Sequence, residues 1–191
     1  MTGAVLIVGA GPVGLWLASE LQLAGVRAVV LERRSERDPH SKALTIHPRT
    51  VEVFAMRGVA DRFVDEAVAL PSGHFGALES RLDFSVLDTD YQFTLMQPQA
   101  RTEELLEELA VDAGATILRN HEVTAMVQRD DGIVLHTRSP DGEVSVEGDY
   151  VVGCDGVAST IRRLAEIDFP GTDSDTFGFL GDVVLDNPPE Q

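Results

Sequence analysis

"AVLIVGAGPVGLWLASELQLAGVRAVVLE", Ala4 to Glu32, decides the fold. AVLIV is a continuous β-rich apolar run, as expected of a strand covered on both faces. After GAGPVG (Gly9–Gly14), apolar residues recur at Leu15, Leu17, Ala18, Leu21 and Ala24, a helical spacing that Gly25 closes. VRAVVLE, Val26 to Glu32, is the next strand. Strand, glycine turn, helix and strand make a βαβ unit with parallel strands and a right-handed crossover.

The turn fits G-x-G-x-x-G in the context that gives the pattern meaning. Gly9 permits the tight turn, Gly11 lets the backbone approach a pyrophosphate, and Gly14 lets the helix pack closely on the strand. The helix N-terminus adds free N–H groups and a partial positive charge. An acid roughly 20 positions further on is expected to hold a ribose hydroxyl pair, and Glu32 stands at the end of the second strand. A carboxylate there repels a 2′-phosphate, which disfavours NADP in this site and leaves NAD or the ADP half of FAD.

The rest of the chain narrows that choice. RRSERDPHSK, from Arg33 to Lys42, is a long polar loop, followed by short helices over PRTVEVFAMRG and VADRF. Residues 70–97 look β-like and irregular, with HFGAL, LDFSVL and QFTLMQ as strand candidates. TEELLEELAVDAG reads as a helix with Thr102 as N-cap, Gly114 past its end, and Leu105, Leu106, Leu109, Ala110 and Ala113 as its buried face. TILRN, EVTAMVQRDDG, IVLHTRSPDG and EVSVEG follow as an antiparallel meander joined by Asp-Gly turns. YVVG reads as a buried strand, then Cys154-Asp155-Gly156 lead to a helix from about Ser159. A simple NAD dehydrogenase would continue with further βα repeats; a meander points to a flavoprotein instead.

Composition bounds the partners. The net charge of −17 over 191 residues argues against nucleic acid or an anionic membrane surface. One cysteine excludes an intrachain disulfide framework and suits a reducing, cytoplasmic setting. Neither a signal peptide nor a spanning apolar segment is read in the chain. His40, His47, His74, His121 and His136 have no metal-ligand spacing, so no metal is assigned. Cys154 lacks a base at suggestive spacing and reads as a small buried residue, not a nucleophile.

With LERRSERDPHSKAL, PQARTEELL and YVVGCDGVASTIRR…IDFPGT in view, the chain resembles the FAD-dependent aromatic hydroxylases. These are single-component monooxygenases with the para-hydroxybenzoate hydroxylase fold, and the likeness is strongest to polyketide hydroxylases and rifampicin monooxygenases. The resemblance implies an α/β Rossmann-like FAD-binding lobe with an inserted antiparallel β-meander and the start of a substrate-binding β layer. It implies cofactor-lobe segments at 1–69 and 99–168, a substrate-layer insertion at 70–98, and a truncated substrate domain from 169–191. By the same likeness Gly9, Gly11, Pro12, Val13 and Gly14 line the pyrophosphate, Glu32 binds the ribose and Arg33 lies near adenine. Lys42 stands where relatives usually carry arginine near the flavin, keeping the charge without the planar fork; Leu44 is apolar, as in polyketide-type relatives. Gln99 matches an FAD-contacting glutamine, Val123 a strand residue at the adenine, and Asp155 with Gly156 an Asp-Gly motif linked to FAD and NADPH, with Arg162 as helper. Each has a plainer reading: Arg33 and Lys42 as solvated loop charges, Gln99 as a cap for the following helix, Asp155 as a strand-to-helix turn.

The resemblance implies NADPH or NADH as reductant, a C4a-hydroperoxyflavin as oxygen donor, and an aromatic or polycyclic small molecule as substrate. It nominates no catalytic side chain. A second flavin motif of Gly-Asp-Ala type is missing after Asp155, and GDVVLD at Gly181 falls elsewhere in the pattern. A missing C-terminal part or a partner chain is therefore expected. The alternatives are a non-catalytic or split fragment that binds a nucleotide or a partner chain, and an NAD-dependent dehydrogenase-like domain.

Overall fold

The computed structural model of the chain describes residues 3–76, 78–176 and residue 178. The GDVVLD stretch and most of the expected 169–191 segment lie outside the described residues.

The opening stretch forms β1 (Ala4–Val8), α1 (Pro12–Leu23) and β2 (Arg27–Glu32). β1 and β2 pair in parallel, with Ile7 opposite Val30. Both faces of this pair are buried, which is why the strands are apolar without alternation. Val5, Ile7, Ala28 and Val30 join one core; Leu6, Val8, Val29 and Leu31 join the other. The first core is closed by α1 and by α4 (Gln99–Asp112), through Leu15 and Ala18 against Leu105, Leu106 and Leu109. The second is closed by a three-stranded antiparallel meander of β9 (Glu122–Arg129), β10 (Gly132–Ser139) and β11 (Gly142–Gly148), with Leu135 fully buried.

Two further strands complete the parallel sheet, in the order β12-β1-β2-β8. β8 (Thr116–Arg119) lies beside β2, and β12 (Tyr150–Gly153) beside β1. The segment TILR, expected in the meander, thus belongs to the parallel sheet. A 14-residue helix followed by a strand is a crossover connection, and it returns TILR alongside β2. Asn120, in the left-handed region at φ 58°, then turns the chain out of this sheet and into the meander. β12 was expected to be buried; it pairs on one side only among the described residues, leaving Tyr150 70% exposed.

The remaining elements lie between β2 and α4: β3 (Thr45–Ile46), α2 (Pro48–Ala55), α3 (Asp61–Val64), β4 (Val68–Leu70), β5 (Ser72–Gly73), β6 (Leu82–Asp83) and β7 (Thr94–Met96). β3, β7 and β4 form a small antiparallel sheet, and β4 crosses the expected boundary between residues 69 and 70. Trp16, Phe54 and Phe63 form an aromatic stack that fastens α2 and α3 to α1. HFGAL forms no strand in its described residues. LDFSVL leaves the strand after Asp83, whose carboxylate caps the Ser85 N–H at 2.9 Å and starts a 3-10 turn over Phe84–Val86. The helix expected to start at Thr102 starts at Gln99, because Pro98 serves as its N-cap and Thr102 lies inside it, buried, with its hydroxyl on Gln97. No helix among the described residues is long and apolar enough to cross a membrane.

Candidate functional site

The C-terminal ends of β1, β2 and β12 open onto one cleft of about 380 Å³. Every residue that the sequence nominated for cofactor binding lines it, with the exception of Gly14, which is buried at the base of α1.

Three glycines of the turn have three different reasons to be there. Gly9 has φ +107°, and a Cβ on it would fall 2.5 Å from the Cys154 carbonyl oxygen. A Cβ on Gly14 would collide with the Gly9 carbonyl oxygen. Gly11 differs: its φ is −82°, open to any residue, and a Cβ would meet nothing within 4 Å. Nothing in the fold requires glycine at that point, and the space that it leaves faces the cleft. This is the space a closely approaching ligand needs. Pro12 occupies the first position of α1 and no side chain caps the helix, so the N–H groups of its first turn stay free for an anion.

Glu32 closes the turn from the second strand. Its Oε2 accepts the Ala10 N–H and its Oε1 the Arg34 N–H, each at 2.9 Å. Each oxygen keeps a second lone pair for a ligand hydroxyl. Val123, 7% exposed, contributes the opposite wall from β9.

The cations of the cleft divide into two kinds. Arg34 is paired with Asp38 at 2.8 Å, Arg37 with Glu104 at 2.9 Å and Glu107 at 2.8 Å, and Arg119 with Glu107 at 2.7 Å. Burial pushes the Glu107 carboxyl up, but its hydrogen bonds from Arg37 and Arg119 outweigh this and leave it below its ordinary value. Arg33 and Lys42 line the same cleft with no carboxylate partner among the described residues. In a chain of net charge −17, two unpaired cations beside a glycine turn are available to an anionic ligand. Ser41 and Ala43 fix the end of this loop to α4, through Ala100 N–H to Ser41 Oγ at 3.2 Å and Gln99 N–H to the Ala43 carbonyl at 2.9 Å.

Asp155 performs the turning role. Its carboxylate accepts from Ser159 Oγ at 2.5 Å and from the Thr160 N–H at 2.6 Å, at the start of α5 (Thr160–Leu164). Gly156 follows at φ +82°, a conformation that favours glycine. Arg162 donates to the Val157 carbonyl at 2.8 Å and stacks over the Phe169 ring, so it braces this loop. Cys154 is half-buried instead of buried, because β12 lies at the sheet edge. Burial, then the charge of Asp155, raises its thiol pKa, which disfavours the thiolate and agrees with a structural role. Arg49 pairs with Glu52, and Arg101 with Glu66 and Glu104, away from the cleft lining. His136 is exposed on the meander, and no metal-binding cluster occurs among the described residues.

Glu103, outside the residues nominated from the sequence, also lines the cleft and accepts from Gln99 Nε2 at 2.6 Å. The signal was present: Gln99 and Glu103 stand four apart on one helix face. Starting the helix at Thr102 hid it.

Comparison with known proteins shows the family. The chain matches the family model described as FAD binding domain over residues 2–191. It is 48% identical over 185 residues to an uncharacterized aromatic compound monooxygenase of Bacillus subtilis, covering 96% of this chain and 37% of that protein. It is 49% identical over 179 residues to the 12-dehydrotetracycline 5-monooxygenase/anhydrotetracycline 6-monooxygenase of Streptomyces rimosus, covering 94% of this chain and 36% of the relative. The solved structure of an anhydrotetracycline hydroxylase from Streptomyces rimosus superposes with a TM-score of 0.88 at 50% identity, over 91% of this chain and 36% of that one. The chain therefore spans little more than a third of the length of these relatives.

Proposed function

This chain belongs to the FAD binding domain family, and from that premise we propose that it is the FAD-binding part of an NAD(P)H-dependent flavoprotein monooxygenase. The proposed reaction is hydroxylation of an aromatic or polyketide-type polycycle, the kind of compound carried in the names of its tetracycline relatives. The observation that supports it most is the open flank of Gly11 beside the end of α1, which no side chain caps among the described residues, with Arg33 and Lys42 nearby and without a carboxylate partner among those residues.

In this reading Gly9, Gly11, Pro12, Val13 and Gly14 form the turn that lines the pyrophosphate. The Gly11 and Val13 N–H groups and the helix end face it, while Pro12 has no N–H, the Gly9 N–H is taken by the Leu31 carbonyl, and Gly14 sets the packing beneath. Glu32 accepts a ribose hydroxyl, and Arg33 and Val123 flank the adenine. Lys42 and Gln99 face the flavin half, while Gly156, held by the Asp155 cap, brings its backbone to the cofactor. When bound, FAD supplies two-electron redox chemistry and dioxygen activation. The protein's part is to bind, to orient, and to exclude water from the reacting centre. Residues 1–69 and 99–168 form the cofactor lobe, 70–98 the first part of a substrate layer, and 169–191 its continuation. The setting proposed is cytoplasmic.

A second reading, one piece of a larger or split assembly, is favoured by β12. Its outer edge is unpaired among the described residues, and an unpaired edge invites further chain.

The test is titration of the purified chain with FAD, followed by flavin absorbance and fluorescence, then NADPH and NADH consumption with and without aromatic polycycles. Saturable flavin binding is expected. A chain that ignores FAD and binds NAD would overturn the proposal.

A further inference from the structure

Glu103 is a carboxylate in a place where carboxylates are disfavoured. It lies inside α4, is 9% exposed, and lines the cleft. Burial of a charged carboxylate is unfavourable unless donors satisfy it. Among the described residues one side-chain donor does so, Gln99 Nε2 at 2.6 Å, and no ion pair includes Glu103 although Arg37 and Arg119 serve Glu104 and Glu107 on the same helix. Gln99 is held from its backbone as well, by its N–H on the Ala43 carbonyl. Backbone and amide nitrogen are thus both committed, and the amide carbonyl oxygen is the end without a partner among the described residues.

We infer that Glu103 is a positioning residue that orients the Gln99 amide, so that Gln99 presents its carbonyl oxygen to the cofactor in the cleft. A carboxylate accepts and cannot donate, so the amide nitrogen must be the end facing it. The flip otherwise open to a glutamine amide is closed. The part of the cofactor that meets Gln99 is therefore a donor, a polyol hydroxyl or a ring N–H, and not a phosphate oxygen. The inference rests on the reading of the cleft as an FAD site with Gln99 on the flavin half.

The test compares FAD and ADP binding to the full 191-residue chain and its variants. Glu103→Gln keeps the shape but can donate as well as accept, which frees the Gln99 amide to flip. FAD binding is expected to weaken about tenfold, the scale of one charge-assisted hydrogen bond, with ADP binding unchanged. The reversed pair, Gln99→Glu with Glu103→Gln, restores an acceptor at one position and a donor at the other, and is expected to recover most of the loss. Melting of the ligand-free variants is read separately, and rescue by reversal is an outcome that a merely structural role would not produce. Unchanged FAD affinity in Glu103→Gln overturns the inference, as does equal loss for FAD and ADP, or a reversed pair no better than the single variant. If Glu103→Gln fails to fold, Glu103→Asp, which withdraws the carboxylate from Gln99, carries the same expectations. A parent chain that binds no FAD removes the FAD reading itself, a result distinct from all of these.

Discussion

The Glu32 carboxylate holds the glycine turn through Ala10, whose N–H it accepts at 2.9 Å while its other oxygen takes the Arg34 N–H at the same distance. The acid proposed to hold the ribose is therefore also a brace for the glycine turn. Glu32→Ala is expected to destabilise the fold by roughly 1–3 kcal/mol, since two backbone donors lose a charged acceptor, and to abolish tight FAD binding. Denaturant unfolding and flavin titration measure the two effects separately. Unchanged unfolding would mean that the brace is idle.

Gly11 and Gly14 separate ligand space from packing space. Gly11→Ala adds a Cβ that meets no protein atom within 4 Å at a φ that alanine accepts. Its stability is expected to stay within about 0.5 kcal/mol of the parent while FAD affinity falls. Gly14→Ala drives a Cβ into the Gly9 carbonyl oxygen and is expected to lose about 1–3 kcal/mol of stability. Equal FAD affinity in Gly11→Ala would remove the case for a ligand against this turn.

Arg33 and Lys42 have no ion pair to lose among the described residues. Replacing both with alanine is expected to leave the melting temperature in place, to weaken FAD binding, and to flatten its dependence on salt. Isothermal titration at two ionic strengths checks this. A salt dependence equal to that of the parent would return both residues to the role of solvated loop charges.

Acid should loosen the loop that carries them. The His40 backbone N–H, then the Arg34 guanidinium, hold the Asp38 carboxyl at about 2, and Glu107 is also held below its ordinary value. Both groups bind their proton more weakly when folded than when unfolded. Their stabilising contribution is thus complete above the ordinary carboxylate range and disappears as pH falls through the folded values, for Asp38 from 3.8 towards about 2. Melting followed from neutral pH downward should fall in that window, and Glu107→Gln should make the acid limb shallower. An identical acid limb in the variant would exclude Glu107 from the linkage.

Much of this was legible in the residues. The parallel β1 and β2, with α1 between them, follow from a double-sided apolar run and a helical spacing around three glycines. The cleft residues were legible for the same reason, since the ends of parallel strands place their following loops together. What misled was local. Pro98 reads as a helix boundary, and it is one, but the first turn after it carries Gln99, Ala100 and Arg101, which lack the short hydroxyl that makes Thr102 read as the N-cap; Gln99, read alternatively as a cap, is the first helical residue. TILR and EVTAMV are both β-rich, and only the left-handed turn at Asn120 assigns them to different sheets. YVVG has a core strand's composition, but sheet position sets its exposure, and no local pattern encodes that.

Gly9 lies against the carbonyl of Cys154, which is far from it in the sequence. The turn proposed to hold the pyrophosphate is thus completed by a contact of very high sequence separation: it cannot close until β12 has been synthesised and docked against β1. Such contacts form late and slowly during folding. A nucleotide captured there favours only the finished fold by mass action, so cofactor supply and the yield of folded chain are coupled through a single pair of loops.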